Sequence, residues 1–258
     1  MTLNLYEMTA EFYDFGNGRR VLQDDLGFYL NEFQAGQAIL EVGCGTGRVG
    51  LELAKHGCEV SGLDLSIPML NVFRRKLKSN PSLKVALFHA DMTCFELSML
   101  FDGIILPYRV FQALRSHDER IKCLESIKKH MKADTRVIVT MFDPNLKAMH
   151  DGYPKSFIDF DLYAADLGCH VRRIITEFEP DWERQIVFYE MICQKHRDGR
   201  VLEEYSERLE LGFLLPRQAE ALFLQNGFRI EATYGYYDYS ARLEFEPREQ
   251  IYVLGYKS

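Results

Sequence analysis

One stretch of this chain could hold a ligand on its own backbone. Ile39-Leu40-Glu41-Val42-Gly43-Cys44-Gly45-Thr46-Gly47-Arg48-Val49-Gly50 runs from an apolar strand, past a carboxylate, through a glycine loop and into a helix. Glycine reaches backbone angles closed to other residues and lets a ligand touch the main chain. A loop of this kind at the carboxyl end of a parallel strand is where open α/β sheets bind ligands. Two cofactor types compete for it. Gly45-Thr46-Gly47-Arg48-Val49-Gly50 fits the G-x-G-x-x-G of dinucleotide enzymes. Asp64 follows about 20 residues on, where such enzymes place a ribose carboxylate. That match starts late, because the first glycine after the strand is already Gly43. The fuller pattern is Glu41-x-Gly43-x-Gly45-x-Gly47, with the acid just before the loop.

The elements that must position this loop can be read around it. Ala38 to Val42 is a short apolar strand, and Arg48 to His56 a helix that Gly57 stops. Cys58 to Leu65 is a second strand, and Ser66 caps a helix striped by Met69, Leu70, Phe73 and Leu77. Leu83–His89, Phe101–Leu106 and Arg136–Phe142 are three more strands. Ser116-His117-Asp118-Glu119 reads as a capping box before a further helix. Strands joined by single helices must run parallel, with right-handed crossovers. Residues 36–145 are therefore expected to form a doubly wound α/β core. The pattern then changes. Gly168–Glu179, Glu183–Lys195 and Arg200–Gly212 alternate like strands without crossover helices, with turns at Pro180-Asp181 and Arg197-Asp198-Gly199. They predict an antiparallel three-strand meander laid onto the main sheet. Pro216–Gln225 reads as a helix, and Phe228–Tyr234 with Gln250–Tyr256 as a final antiparallel pair.

Composition narrows the function classes. The chain has 258 residues, 47% hydrophobic and 27% charged, which is ordinary globular usage and excludes disorder as the main state. No run reaches the roughly 18 apolar residues of a membrane span, and the first ten residues do not read as a secretory signal. A net charge of −7 argues against a nucleic-acid backbone as the main partner. The six cysteines contain no C-x-x-C pair, so reduced, mostly buried thiols in a cytoplasmic protein are expected.

The ordered anchors, Glu41 with the glycines, Asp64 ending the second strand, Asp91 in His89-Ala90-Asp91-Met92, and Phe101-Asp102-Gly103 opening the fourth strand, resemble the class I S-adenosylmethionine-dependent methyltransferases. The resemblance covers about residues 36–145. It implies a Rossmann-like fold, a doubly wound and mostly parallel seven-stranded sheet with an inserted antiparallel β-meander. It also implies S-adenosylmethionine as cofactor, S-adenosylhomocysteine as product and no metal. Gly43, Cys44, Gly45 and Gly47 would let the backbone approach the cofactor. Asp64 would accept from both ribose hydroxyls. Glu41 would fix the loop or reach the methionine amino group through water. Asp91 would accept from the adenine amino group with Met92 beside the ring, and Leu65, Met69 and Leu106 would complete the site. As bland alternatives, each acid would be a helix cap or a surface charge at a strand end.

Beyond the core the likeness narrows to small-molecule enzymes, the group with sugar-amine and glycine N-methyltransferases. Ala10-Glu11-Phe12-Tyr13-Asp14, the inserted meander and Tyr234-Gly235-Tyr236-Tyr237-Asp238 carry it. The expected layout is a single methyltransferase domain over 1–258. Residues 1–35 would be an N-terminal helical lid, 36–145 the cofactor core, 146–215 the meander and 216–258 the closing helix and strand pair. The expected activity is methyl transfer to an N or O nucleophile of a small molecule by in-line displacement, in a monomer or homodimer. A protein or RNA methyltransferase and a non-catalytic S-adenosylmethionine-binding protein are the alternatives. Tyr13, Tyr108, Arg109 and His117 are the catalytic candidates. Tyr13 would orient the nucleophile, Arg109 would bind a substrate carboxylate or phosphate, and His117 would act as a base. For each, packing or capping is the competing role. The aromatic run Tyr234, Tyr236, Tyr237, Tyr239 and Phe245 is expected to pack on the terminal helix, with a pocket for a flat or cationic substrate as the alternative. Glu203, Glu204, Glu207 and Glu210 are expected to form a solvated strand edge.

Overall fold

The two faces of one sheet account for most of the buried residues. The computed structural model describes residues 6–17, 25–152, 155–165, 167–243 and 249–256. An N-terminal segment contains a short 3-10 turn, Ala10–Phe12, and α1, Tyr13–Asn17, and is followed by α2, Asp25–Glu32. The core then alternates: β1 Ala38–Val42, α3 Arg48–Lys55, β2 Glu59–Asp64, α4 Ile67–Lys78, β3 Val85–His89, β4 Phe101–Leu106, α5 His117–Lys128 and β5 Met131–Phe142. After α6, Leu146–Asp151, come β6 Ser156–Ala164, β7 Cys169–Asp181, β8 Ile186–Arg197 and β9 Arg200–Gly212. The last elements are α7 Pro216–Gln225, β10 Phe228–Tyr234 and β11 Glu249–Tyr256.

The main sheet has seven strands in the order β10-β11-β5-β4-β1-β2-β3. β5, β4, β1, β2 and β3 run parallel, and β11 is antiparallel to both β5 and β10. The doubly wound expectation holds. Successive residues of a strand face opposite ways, and the apolar runs here feed both faces. Leu40, Ile104, Val137 and Val139 pack with Leu124 and Ile127 of α5 and Phe223 of α7. Ile39, Ile105 and Ile138 pack with Phe28 and Tyr29 of α2 and Val49 and Leu53 of α3. Strand order reverses between β1 and β4, so the crevice beyond their carboxyl ends is the ligand position.

The helix starts follow the sequence. Ser66 Oγ accepts from the Met69 amide at 3.2 Å. Ser116 Oγ accepts from the Glu119 amide at 3.1 Å, and Glu119 Oε2 accepts from the Ser116 amide at 2.9 Å, a complete capping box.

The insertion is a second sheet of four strands, ordered β6-β7-β8-β9, where three were expected. β6 escaped because its ladder to β7 shifts register between Ile158 and Phe160, which breaks the alternation. Pro180 belongs to β7 and pairs with Val187, and the turn lies after Asp181. β6 pairs with β7 only from Cys169 to Thr176, so Pro180 faces no β6 acceptor that would miss its amide. The other turn is as expected: Asp198 and Gly199 have φ of 50° and 77°, and Arg197 pairs with Arg200. Three residues of the aromatic run, Tyr234, Tyr237 and Tyr239, pack around Phe28 of α2 rather than on the terminal helix, and Phe245 lies outside the described residues.

Of the four glutamates on β9, Glu203 and Glu204 are exposed. Glu207 accepts from the hydroxyl of buried Thr9, and Glu210 pairs with Arg115. The N-terminal segment is thereby tied to the second sheet, where Phe12 also packs with Phe160, Val171 and Met191. Ala10, on the same segment, packs on Met69 and Val72 of α4. Five cysteines are buried; Cys94 is exposed, in the turn where its amide donates to the Asp91 carbonyl at 3.1 Å. Among the described residues no helix is long and apolar enough to cross a membrane.

Candidate active site

A cavity of about 650 Å³ lies between the main sheet's carboxyl edge, the N-terminal segment and the second sheet. Its floor is the glycine loop. Gly43 and Gly45 line it, both with positive φ, 69° and 53°. A side chain added at Gly45 would meet nothing within 4 Å, so the backbone there faces open space. Gly47 has another reason to be glycine. It starts α3 at φ 79°, and a Cβ would come within 2.3 Å of the Phe73 ring.

Asp64 ties the loop to β2. Its Oδ2 accepts from the Gly45 amide and its Oδ1 from the Ser66 amide, both at 2.7 Å. A carboxylate offers about four acceptor positions, so these two bonds leave capacity toward the cavity that Asp64 lines. Burial raises its pKa, opposed by the backbone amides. Asp91 also lines the cavity, with Leu65, Met69 and Met92. The Thr93 amide and hydroxyl both donate to Asp91 Oδ1 at 2.8 Å. Of the expected cofactor residues, Glu41, Cys44, Gly47 and Leu106 do not line the cavity. Cys44 packs with Leu70 and Phe73 under the loop, and Leu106 is fully buried in the core. Glu41 is buried behind the loop, and its Oε2 has no hydrogen-bond partner. Burial pushes its carboxyl up to about 8, against the pull of Arg48. Arg48 itself is held by both oxygens of Asp25, at 2.8 and 2.5 Å.

The other wall gathers the remaining candidates. Tyr13 lines the cavity, packed edge-on to Tyr6 at 5.6 Å. Its neighbour Asp14 fastens the segment to the loop, accepting from Thr46 Oγ1 and pairing with Lys76, both at 2.7 Å. Burial raises the Tyr13 phenol far above its ordinary pKa and lifts Tyr189 to about 12. Both phenols therefore stay protonated and donate rather than act as bases. Tyr108 also lines the cavity at the unusual φ of 59°, its carbonyl accepting from Thr140 Oγ1 at 3.0 Å. Arg109 lies over the Tyr108 and Phe142 rings, 5.0 and 5.3 Å from their centroids. Its Nε is buried without a partner, and no carboxylate among the described residues forms an ion pair with it. Buried Glu249 feels its charge, which opposes the desolvation that lifts that carboxyl to about 7.

His117 is not part of this wall. It sits exposed on the first turn of α5 and does not line the cavity, although Glu119 of the same turn does. The structure adds cavity residues that sequence reasoning missed: Tyr6, Asp143, Asp159, Arg173 and Tyr189. Arg173 pairs with Asp159 at 2.5 Å, and both are nearly inaccessible. Asp143 is held by Arg242 at 2.9 Å and Gln250 at 3.3 Å. The Asp159–Arg173 pair left no local signal, because β6 and β7 carry several other charged residues. Asp143, just past the end of β5, gave only its position.

Known proteins place this geometry. Residues 39–134 match the family model described as a methyltransferase domain. The YqeM protein of Bacillus subtilis (strain 168) is 25% identical over 69% of this chain and 74% of its own length. A dTDP-3-amino-3,6-dideoxy-alpha-D-glucopyranose N,N-dimethyltransferase of Streptomyces fradiae is 31% identical, over 50% of this chain and 51% of that protein. The solved structure of the CcbJ methyltransferase from Streptomyces caelestis superposes with a TM-score of 0.80 at 18% identity, covering 99% of each chain. With the family match and the ordered motifs on one sheet edge, the chain carries a methyltransferase domain of the class I, S-adenosylmethionine-dependent kind.

Proposed function

We propose that this protein transfers a methyl group from S-adenosylmethionine to a nitrogen or oxygen nucleophile of a small molecule, held beneath the N-terminal segment and the second sheet. The observation that carries the reading is the cavity itself. It joins the open glycine backbone and two carboxylates on one side to an aromatic, arginine-bearing wall on the other. When bound, the cofactor supplies an electrophilic methyl on a sulfonium, a donor that needs little activation. Gly43 and Gly45 would pass their backbone against it, Asp64 would hold the ribose hydroxyls, and Asp91 the adenine. Glu41, Cys44, Gly47 and Leu106 would shape the loop from behind.

The chain's own work is then to align nucleophile, methyl and sulfur, since positioning supplies much of the rate. Tyr13 would orient the nucleophile as a neutral donor. Tyr108 would shape the methyl-bearing end, and Arg109 would hold an anionic group of the acceptor by its fork. An amine must arrive neutral and a hydroxyl must shed its proton, and the phenols here do not take it. The likeness to the Streptomyces fradiae amino-sugar N,N-dimethyltransferase supports an amino-sugar acceptor as the first class to screen. The roofed cavity favours a small acceptor over a protein or RNA chain. In this reading the whole chain works as one unit in the cytoplasm. The described N-terminal residues, 6–17 and 25–35, close over the core, and the meander forms the acceptor wall. Residues 1–5 and 18–24 of the expected lid lie outside the described residues.

Calorimetric titration with S-adenosylmethionine, S-adenosylhomocysteine and NADH tests it. Both sulfur compounds should bind and NADH should not. Asp64→Ala should weaken S-adenosylmethionine by about 1.5–3 kcal/mol, the scale of hydrogen bonds to a charged group. Binding of NADH alone would return the site to the dinucleotide reading of the glycine loop.

A further inference from the structure

Away from the cavity wall, three strands of the second sheet bring a carboxylate and two imidazoles together. His170 on β7 and His196 on β8 are directly opposite in register. Asp161 on β6 pairs with Arg172, so it sits diagonally across from His170. Asp161 Oδ1 lies 3.1 Å from His170 Nδ1 and 3.0 Å from His196 Nε2. One ligand atom from each of the three residues lies within 4.8 Å of the others. Zinc bonds to histidine nitrogen and carboxylate oxygen are about 2.0 Å, which gives a tetrahedral ligand-to-ligand edge of about 3.3 Å. The two observed edges are close to that value.

We propose that Asp161, His170 and His196 bind a divalent transition-metal ion that prefers imidazole, zinc foremost. Two imidazole nitrogens converging on one carboxylate oxygen suit a cation that takes all three as electron-pair donors. The donor set, two nitrogens and one oxygen, selects zinc, nickel or copper over magnesium and calcium, which demand oxygen. The site is enclosed on one side and open on the other, the side chains of His196, Asp161 and His170 being 14%, 26% and 46% exposed. Water would fill the open position.

Arg172 works in both directions. Its Nε and Nη2 hold Asp161 Oδ2 at 2.7 and 2.6 Å, which fixes the carboxylate as an outer partner does. Oδ1 faces both histidines, and Oδ2 is also 3.2 Å from His196 Nε2. Its charge also opposes a second cation, so the site is weaker than a four-ligand structural zinc centre. The same three strands carry Asp159, Arg173 and Tyr189 into the cavity wall. A metal here would pin β6, β7 and β8 together and stiffen that wall. The inference stands independently of the methyl-transfer reading.

The test uses the full chain, untagged, in a Cys94→Ser background that removes the exposed thiol as a rival ligand. Zinc chloride and cobalt chloride are titrated by calorimetry and visible absorption, with magnesium chloride as control. The expected result is one saturable zinc per chain, intense visible bands for cobalt in a tetrahedral field, and no response to magnesium. His170→Ala and His196→Ala should each weaken zinc at least about tenfold, the usual scale for disturbing a metal site. Absence of saturable binding would overturn the proposal, and so would affinity unchanged in both histidine variants. If His196→Ala does not melt cooperatively, the more exposed His170→Ala decides alone.

Discussion

Residue by residue, the site's chemistry rests on which groups keep their protons. Burial holds the Tyr13 phenol neutral across the physiological range. Tyr13→Phe is therefore expected to lower turnover with little change in cofactor affinity, and to leave the pH–rate profile unmoved. Steady-state kinetics over pH, beside calorimetry with S-adenosylhomocysteine, checks this; an unchanged turnover would remove the hydroxyl from the reaction. Arg109 gives a second test at this scale. A cation over two aromatic rings without an ion-pair partner should be felt by the acceptor, not by the cofactor. Arg109→Met keeps much of the apolar stem. It should raise the KM of an anionic acceptor about tenfold or more, the loss expected for one charged hydrogen bond. It should leave S-adenosylhomocysteine affinity within about twofold. Asp64 and Asp91 were visible in the sequence because Asp64 ends β2 and Asp91 follows β3 by two residues, each beside a turn. The Asp159–Arg173 pair was not, because its meaning depends on the fold turning that face inward.

Elements place these residues through their ends. α3 begins at Gly47 and α5 at Ser116, and both starts are legible from residue type alone. Gly47→Ala meets both a backbone angle closed to alanine and the Phe73 ring. It should destabilise the fold by about 2 kcal/mol or more in chemical unfolding. Ser116→Ala should cost about 1 kcal/mol and leave cofactor binding intact, since only a helix cap is lost. The parallel core was readable because its strands are short apolar runs separated by helical stripes. β6 was not, because a register shift and two aspartates interrupt its pattern, and only pairing with β7 makes it a strand. The Thr9–Glu207 link was illegible for a different reason. It joins residues 198 apart, and nothing local marks either one.

At the scale of the molecule, buried carboxyls set the pH response. The folded chain keeps the Glu41 proton up to about 8 and the Glu249 proton up to about 7, whereas unfolded glutamates lose theirs near 4.5. A pKa raised on folding means that the folded state holds more protons between the two values, so stability falls as pH rises through that window. The slope is at most about 1.4 kcal/mol per pH unit for each carboxyl. Melting the cofactor-free protein at about pH 5 and about pH 8 should show the decline, and Glu41→Gln should flatten it. The thiols have a practical consequence of the same global kind. With five cysteines buried and one exposed, a maleimide dye should attach once per folded chain, at Cys94. That position is three residues from the carboxylate proposed to hold adenine, as the Asp91 carbonyl bond shows. The native sequence thus carries its own attachment point for an optical reporter of cofactor loading, with no engineered cysteine.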